Sequence, residues 1–566
     1  MITTWGKNLD PEHILEEYPR PQLRRGSYIN LNGLWDYAIT EDENIPMLWD
    51  GHIIVPFSPE CLLSGVNHIL KSNEFLWYKR TVNIDKEFNN GRIFIHFGAV
   101  DQIATIFVNG HELTTHVGGY LPFSVEITDV ISYSEPNTII VKVTDDTDES
   151  WHTHGKQRMK RGGIWYTPQS GIWQTVWLES VPETYIKSLK ITPDYDQSEI
   201  NIDADIVGPD NTAARAVFED REYMLPAKIT INGFREWSPD DPYLYSFTVV
   251  CGKDKVESYF AMRKFSIDCD KKGVKRLFLN NRPYFQNGLL DQGYWPDGLY
   301  TAPSDEALIY DIKTAKAMGF NMLRKHIKVE PLRWYYHCDR LGMIVWQDMP
   351  SGSGVYNPLI ISAPLITKVS LDDRLHLIHG RERKKGRKEF IHELSSMIKH
   401  LYNSPCIALW VPFNEGWGQF DAKKIYNIIQ DIDSTRIIDH ASGWHDQKIG
   451  DLQSLHVYFV KYKYKKDKLG RAVILSEYGG YNCSIPEHMF STKEFGYKKS
   501  SSPDILGKNL NTLFKKQILP AKEEGLCAAV YTQLTDVEDE LNGLMTYDRE
   551  VIKLPLNTLK EIVDIR

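Results

Sequence analysis

Trp410-Val411-Pro412-Phe413-Asn414-Glu415-Gly416-Trp417 and Leu475-Ser476-Glu477-Tyr478-Gly479-Gly480, whose glutamates are sixty-two residues apart, decide the fold. Each stretch closes an apolar run with one glutamate. Residues 407–411 and 472–475 are short, aliphatic and β-branched, with polar residues on either side. That is the pattern of strands buried on both faces of a parallel sheet. A carboxylate belongs at the end of such a strand, not inside it. In a closed barrel of parallel strands, the C-terminal ends are where reacting groups gather. A structural glutamate paired with a nearby Arg or Lys would explain either strand end taken singly. Two such ends, with Asn414 beside one and Tyr478-Gly479-Gly480 after the other, point to the two-carboxylate chemistry of glycoside hydrolysis.

Outward from these stretches, strands and helices alternate from Arg263-Lys264-Phe265 onward. Eight strands are expected at 284–289, 321–324, 343–347, 407–411, 436–439, 454–458, 472–476 and 528–533. Ser304 can cap a helix whose Leu308, Ile312, Ala315 and Met318 share one face, with Asp305 and Glu306 at its positive end and Gly319 as its stop. Pro331 opens a second helix that Gly342 closes, and residues 388–402 form a third with Phe390, Leu394, Met397 and Leu401 buried. Strand and helix repeated eight times make a (β/α)8 barrel. The connections after strands five and six hold only about a dozen residues, near the lower limit for a crossover, so their helices must be short or irregular. Glu415 follows strand four and Glu477 ends strand seven.

The two motifs resemble the acid/base and nucleophile motifs of family 2 glycoside hydrolases, the group of β-galactosidases, β-glucuronidases and β-mannosidases. There the two glutamates end barrel strands four and seven. The resemblance extends over nearly the whole chain. Phe97-Gly98-Ala99-Val100-Asp101, Val108-Asn109-Gly110, Gly118-Gly119-Tyr120 and Tyr166-Thr167-Pro168-Gln169-Ser170-Gly171-Ile172-Trp173 resemble that family's N-terminal sugar-binding-like domain. Trp237-Ser238-Pro239-Asp240 and Asp241-Pro242-Tyr243-Leu244-Tyr245 resemble the domain that follows it. The resemblance implies Glu415 as acid/base, Glu477 as nucleophile, and Asn414 as donor to the hydroxyl beside the reacting carbon. It also implies that Arg324 keeps Glu477 ionised and that Tyr458 donates to it. Asp291, Gln292, Lys325, His326 and Asp348, at the ends of strands one to three, are expected substrate contacts. Trp444, with Trp410 and Trp417, fits a sugar platform or, equally, the barrel's core and rim.

Metal-dependent β-galactosidases carry Asn-Arg-His-Glu after strand one. This chain reads Gly288-Leu289-Leu290-Asp291-Gln292 there, so no metal or cofactor is expected. Family β-glucuronidases carry Asn-x-Lys after strand eight. Asn542-Gly543-Leu544 keeps the asparagine and has leucine for the lysine, while Asp536, Glu538, Asp539 and Glu540 make that loop acidic. The expectation is a retaining, exo-acting enzyme on a neutral, galactose-like end. β-Glucuronidase, β-mannosidase or arabino/galactofuranosidase activity are alternatives on the same machinery, and a non-catalytic carbohydrate-binding protein is the alternative of another class.

Residues 1–182 alternate apolar and polar in short runs, and Asn109-Gly110 is a strong hairpin signal. A jelly-roll β-sandwich is expected there, an immunoglobulin-like β-sandwich over 183–268, and the catalytic barrel over 269–566. The polar segment 145–160 reads as a loop leaning toward the active site. Its His152 and His154 lack a third ligand at metal spacing. With 566 residues, 42% hydrophobic and 25% charged, the chain has an ordinary globular composition. A formal charge of −9 argues against nucleic acid as a partner. The basic runs 381–388 and 461–468 read as solvated loops. Seven scattered cysteines imply neither a disulfide framework nor a zinc site. No long apolar stretch points to a membrane. The N-terminal residues lack the features of a signal peptide, so the cytoplasm is expected, or the periplasm or outside of the cell if a signal peptide precedes them. A glycoside or oligosaccharide is the expected partner; homo-oligomerisation is not legible.

Overall fold

Every residue of Ile407–Val411 and Ala472–Gly479 is buried, as strands covered on both faces must be. A computed structural model of the chain describes residues 1–209, 212–354, 356–367 and 369–564. The two strands belong to a parallel sheet of eight: β1 Gln286–Asp291, β2 Met322–Lys325, β3 Ile344–Asp348, β4 Ile407–Val411, β5 Ile437–Ile438, β6 Leu452–Val457, β7 Ala472–Gly479 and β8 Leu526–Thr532. Their order is β5-β4-β3-β2-β1-β8-β7-β6. Among the described residues no ladder joins β5 to β6, so the barrel is nearly but not fully closed. β5 is only two residues long, and the lateral bonding continues past it through the bridge of Asn414 to Ser442.

The expected eight strands are present, each within a few residues of its place in the sequence. Helix α1 (Asp305–Ala317) starts where the Ser304 hydroxyl accepts the Ala307 N–H. Helix α2 (Leu332–Leu341) ends on Gly342, which has a φ of 74° and where a Cβ would lie 2.4 Å from the Pro239 carbonyl oxygen. The β3–β4 connection carries two helices, α3 (Pro358–Thr367) and α4 (Lys384–Leu401). The basic run 381–388 is therefore not a loop throughout. Its second half forms the first turn of α4, and Arg381 is buried, donating to the carbonyls of Gly418 and Ser351. The connections after β5 and β6 contain no helix, since they are too short to complete one.

Two antiparallel sandwiches precede the barrel. The first packs a six-stranded sheet, with Asn137–Thr144 near its middle, on a four-stranded sheet built around Val176–Val181 and Arg92–Phe97. Asn109 and Gly110 both have positive φ, the tight turn that joins Ile103–Val108 to His111–Val117. The second sandwich faces three strands against four around Ile191, Ile202, Val249 and Phe260. The hairpin of Phe265–Cys269 and Lys275–Leu279 straddles the expected boundary at 268. Phe265, Leu277 and Leu279 belong to the barrel's core cluster.

The sandwiches are fastened to the barrel by buried contacts. Trp237 Nε1 donates to the Asp339 carbonyl at the end of α2, and Asn403 bonds to the backbone of Leu189 and Ile191. Between the first sandwich's strands, the segment 148–166 reaches over the barrel mouth. Gly352, after β3, donates its N–H to the His154 carbonyl, and Trp165 packs on Trp417 at 5.1 Å.

Candidate active site

Glu415 stands four residues beyond β4, where the backbone leaves the barrel wall. Its own φ is 52°, left-handed for a side chain with a Cβ. That conformation is held by its N–H bond to the Ser442 carbonyl and by Gly416, where a Cβ would lie 2.4 Å from the His445 ring. Glu477 sits in β7, near its C-terminal end. One oxygen of each carboxylate lies within 4.8 Å of the other and of a His456 ring nitrogen. Both glutamates are buried.

The two carboxyls have opposite surroundings. Burial would raise Glu477, but the His456 imidazole and the charge of Arg324, with the Tyr458 hydroxyl bond, hold it at about 2. Arg324 Nη1 is 3.1 Å from Glu477 Oε1, and Tyr458 donates to Oε2. Glu415 is pushed above its ordinary value by burial and by the charge of Glu477, against the His456 bond and the charge of Lys156. One carboxyl is thus kept ionised, and its neighbour holds its proton to higher pH than an ordinary glutamate.

Arg324, fully buried, organises the floor. Its Nε and Nη2 hold both oxygens of Asp348 at 3.0 Å, its Nη2 donates to Asn414 Oδ1 at 2.9 Å, and its Nη1 donates to the Ser476 carbonyl. With Oδ1 so engaged, the Asn414 Nδ2 amide forms no bond among the described residues. His326 Nδ1 bonds to Asp348 Oδ2 at 2.7 Å, and burial together with the charge of Lys156 pushes its ring well below the usual histidine range. Asp348 therefore orients Arg324 and His326 and has both oxygens engaged.

Two expected contacts stand elsewhere. Lys325 alternates with Arg324 and so faces out of the barrel. Its ammonium is 2.7 Å from both Asp291 and Glu330 and lies over the Trp334 ring. Asp291 and Lys325 thus form a buried ion cluster behind the wall instead of lining the mouth. Gln292 donates to Gln533 Oε1 at 2.7 Å, beside β8. Trp410 likewise faces outward, its Nε1 donating to Asp433, and is packing rather than platform. Trp417 and Trp444 join Trp165 and Tyr356 in an aromatic cluster at the mouth, with Trp444 6.4 Å from the His456 ring.

His456 lies outside the sequence motifs yet touches both carboxylates. Its Nδ1 lies 2.8 Å from Glu415 Oε1 and 3.5 Å from Glu477 Oε2, and its Nε2 bonds to Ser442 Oγ at 3.0 Å. It precedes Tyr458, the first residue past β6, by two positions, so the alternation that turns Tyr458 inward turns His456 inward too. Lys156 also lies outside the motifs. It is buried over the Trp417 ring at 5.8 Å and comes from the first sandwich, so only the tertiary fold brings it here. Elsewhere, the ligand atoms of His488, Asp548 and Glu550 also lie within 4.8 Å of one another, but the Lys7 ammonium stands 2.7 Å from Glu550 and supplies the positive charge.

The acidic loop after β8 is internally paired. Asp536 is 2.7 Å from Lys553, Glu538 and Asp539 meet Arg161, and Glu540 accepts from Tyr166 and Asn542. Lys553 and Arg161 offset about half of that negative charge, so the repulsion expected of the loop toward an acidic sugar is reduced but not removed. Leu544, at the position of the lysine in the Asn-x-Lys motif, is buried in the core.

A nearly closed parallel barrel with two facing glutamates at its mouth, behind two β-sandwiches, is the architecture of a glycosidase. The chain belongs to glycosyl hydrolase family 2: residues 64–182 match that family's sugar-binding domain and residues 273–500 its TIM-barrel domain. It is 23% identical to a β-galactosidase of Thermoanaerobacter pseudethanolicus over 445 residues, covering 72% of this chain and 54% of that one. It is 24% identical to a β-glucuronidase of Bacteroides fragilis over 384 residues, covering 60% and 49%. The chain thus spans about half the length of these curated relatives. The β-D-glucuronidase of Dictyoglomus thermophilum superposes with a TM-score of 0.74 at 17% identity, over 96% of this chain and 98% of that one. A Ruminococcus gnavus β-glucuronidase gives 0.76 at 15%, over 98% and 100%. At such identities the likeness is one of fold. Among the described residues no helix is long and apolar enough to cross a membrane.

Proposed function

We propose that this chain hydrolyses terminal β-glycosides with retention of configuration, with Glu477 as nucleophile and Glu415 as general acid and base. The observation that carries the proposal is the carboxylate pair within 4.8 Å, one member held ionised and the other pushed above its ordinary range. Retaining glycosidases keep their two carboxyl groups roughly 5–5.5 Å apart, whereas inverting ones leave about 6.5–9.5 Å for a water. In the first step Glu477 attacks the anomeric carbon while Glu415 gives its proton to the departing oxygen. In the second, Glu415 takes a proton from water, which displaces Glu477. Asn414, with its Nδ2 amide uncommitted, donates to the adjacent sugar hydroxyl. The segment 148–166 and the aromatic cluster at the mouth favour attack on chain ends.

The sugar is read as neutral and galactose-like. Leu544 stands where a uronate-binding lysine would, Arg549 is paired with Asp311, and Lys325 is paired with Asp291 and Glu330. A second reading, a uronide, draws support from Lys156, a largely buried lysine at the mouth whose ammonium forms no ion pair among the described residues. Turnover of nitrophenyl β-galactoside, β-glucuronide, β-mannoside and α-arabinoside tests both, with product anomers followed by NMR. Retained configuration with the galactoside ahead is expected. An inverted product sinks the mechanism, and a clear lead for the glucuronide replaces the sugar assignment.

A further inference from the structure

Away from the barrel mouth, a cavity of about 260 Å³ lies where the first sandwich, the second sandwich and the barrel's outer helices meet. Its wall combines Trp177 and His96 from adjacent strands, Arg20 from the N-terminal segment, Lys187 from the second sandwich, and Arg333 and Lys399 from α2 and α4. That volume is near the lower end of the ~300–1,000 Å³ typical of ligand pockets.

The wall has one sign of charge. Four cationic side chains line it and no carboxylate does. Arg20 and Arg333 are held from behind by Glu179 and Asp305, whereas Lys187 and Lys399, exposed on the solvent side, form no ion pair among the described residues. The chain's −9 charge makes such a local surplus of cations unusual. Burial, with the charge of Arg20, holds His96 at about 3 and His400 at about 4, so both rings are neutral.

The buried nitrogens are also unsatisfied. Trp177 is 2% exposed, yet its Nε1–H has no partner, and neither has Arg20 Nε–H. His96, 6% exposed, bonds to Ser124 through Nδ1 and leaves Nε2 without a hydrogen bond, 3.6 Å from Glu179. Buried polar groups without partners are uncommon and ask for a ligand or water. The Trp177 ring, stacked on His96 at 4.8 Å with Arg20 at 5.7 Å, adds a rigid apolar wall.

We propose that this cavity is a second binding site, separate from the glutamate pair, for a small molecule carrying a carboxylate or phosphate group. The oxyanion is drawn by Lys399 and Lys187 at the entrance and by the Arg20 and Arg333 guanidinium groups in the wall; Trp177 Nε1 and Arg20 Nε, sealed from the cavity, donate to it after a small side-chain shift on binding. Binding there ties the three regions of the chain together.

Isothermal titration calorimetry on the full chain tests this with D-glucuronate and D-glucose 6-phosphate, which separate carboxylate from phosphate as the source of the charge, and with D-glucose as the neutral reference. At least one of the acids is expected to bind, and glucose is not. Trp177→Phe keeps the ring and removes the donor, and Lys399→Ala removes an exposed charge. Each is expected to weaken binding about tenfold or more, with aryl-glycoside turnover unchanged. Binding that survives both substitutions belongs to the barrel mouth and overturns the proposal. Absence of binding by either acid, or equal binding of glucose, overturns it too.

Discussion

His456 Nδ1 stands 2.8 Å from Glu415 Oε1 and 3.5 Å from Glu477 Oε2, so a single imidazole is wedged between the two carboxylates of the proposed reaction. Its influence on both is in the same direction. It lowers Glu415 against burial and lowers Glu477 toward about 2.

Replacing His456 by alanine should therefore move the whole bell-shaped pH profile of kcat/KM upward. The acidic limb reports Glu477, which must ionise, and the basic limb reports Glu415, which must stay protonated. With the imidazole gone both groups hold their protons to higher pH. The loss at the optimum should be about 10²-fold, the scale for a misplaced reacting group. An unshifted profile with only a uniform loss would reduce His456 to a packing role.

The two glutamates should differ when removed. Glu477→Ala is expected to lose nearly all turnover and to recover part of it with added azide, which fills the place of the nucleophile. Glu415→Ala should lose about 10²–10⁴-fold on poor leaving groups and far less on dinitrophenyl glycosides, whose leaving oxygen needs no proton. Equal losses on both kinds of substrate would exchange or cancel the assigned roles.

A third expectation concerns stability. Glu393 in α4 is 4% exposed and has no ion pair among the described residues, and burial pushes it up to about 8 against the hydroxyl of Thr153. The folded chain thus binds this proton more tightly than the unfolded one, whose carboxyl titrates at about 4.3. Its contribution is complete below that value and declines as pH rises to about 8. Glu393→Gln mimics the protonated form, so it should raise the melting temperature at pH 8 and change little at pH 4.5. The opposite order in calorimetry would refute this.

The barrel was legible because parallel strands buried on both faces read as continuous apolar runs, and Glu415 and Glu477 stood out as charges at the ends of such runs. The inward or outward aim of a residue was legible only where the alternation was applied to it. Arg324 and Lys325 are neighbours, and strand geometry sends one to Glu477 and the other behind the wall. The acidic loop after β8 misled for another reason. Its charge was visible in sequence, but the pairing that offsets part of it was not: Arg161 comes from the first sandwich and Lys553 folds back from 17 residues downstream of Asp536. Lys156 was hidden similarly, since nothing local in 145–160 marks one lysine as the buried one.

That lysine gives the last prediction and the most decisive. An unpaired ammonium in a buried site costs several kcal/mol unless a negative charge meets it. Lys156 has two ways to find one: Glu415 once it has released its proton, or a carboxylate on the sugar. Its charge already acts on Glu415, lowering it. If the substrate is neutral, as proposed, Lys156→Met should let Glu415 hold its proton to higher pH. The basic limb should then move upward, with about a tenfold loss or less on the galactoside. If the substrate is a uronide, the same change removes the partner of its carboxylate, and charged hydrogen bonds of that kind are worth roughly 2–5 kcal/mol. That corresponds to a loss on the glucuronide of about 30-fold or more, with the neutral glycosides spared. We expect the shifted basic limb and no selective loss. Measuring kcat/KM for both glycosides across pH, in the wild-type chain and the variant, separates the outcomes, and a loss confined to the glucuronide would move Lys156 from tuning Glu415 to recognising an acidic sugar.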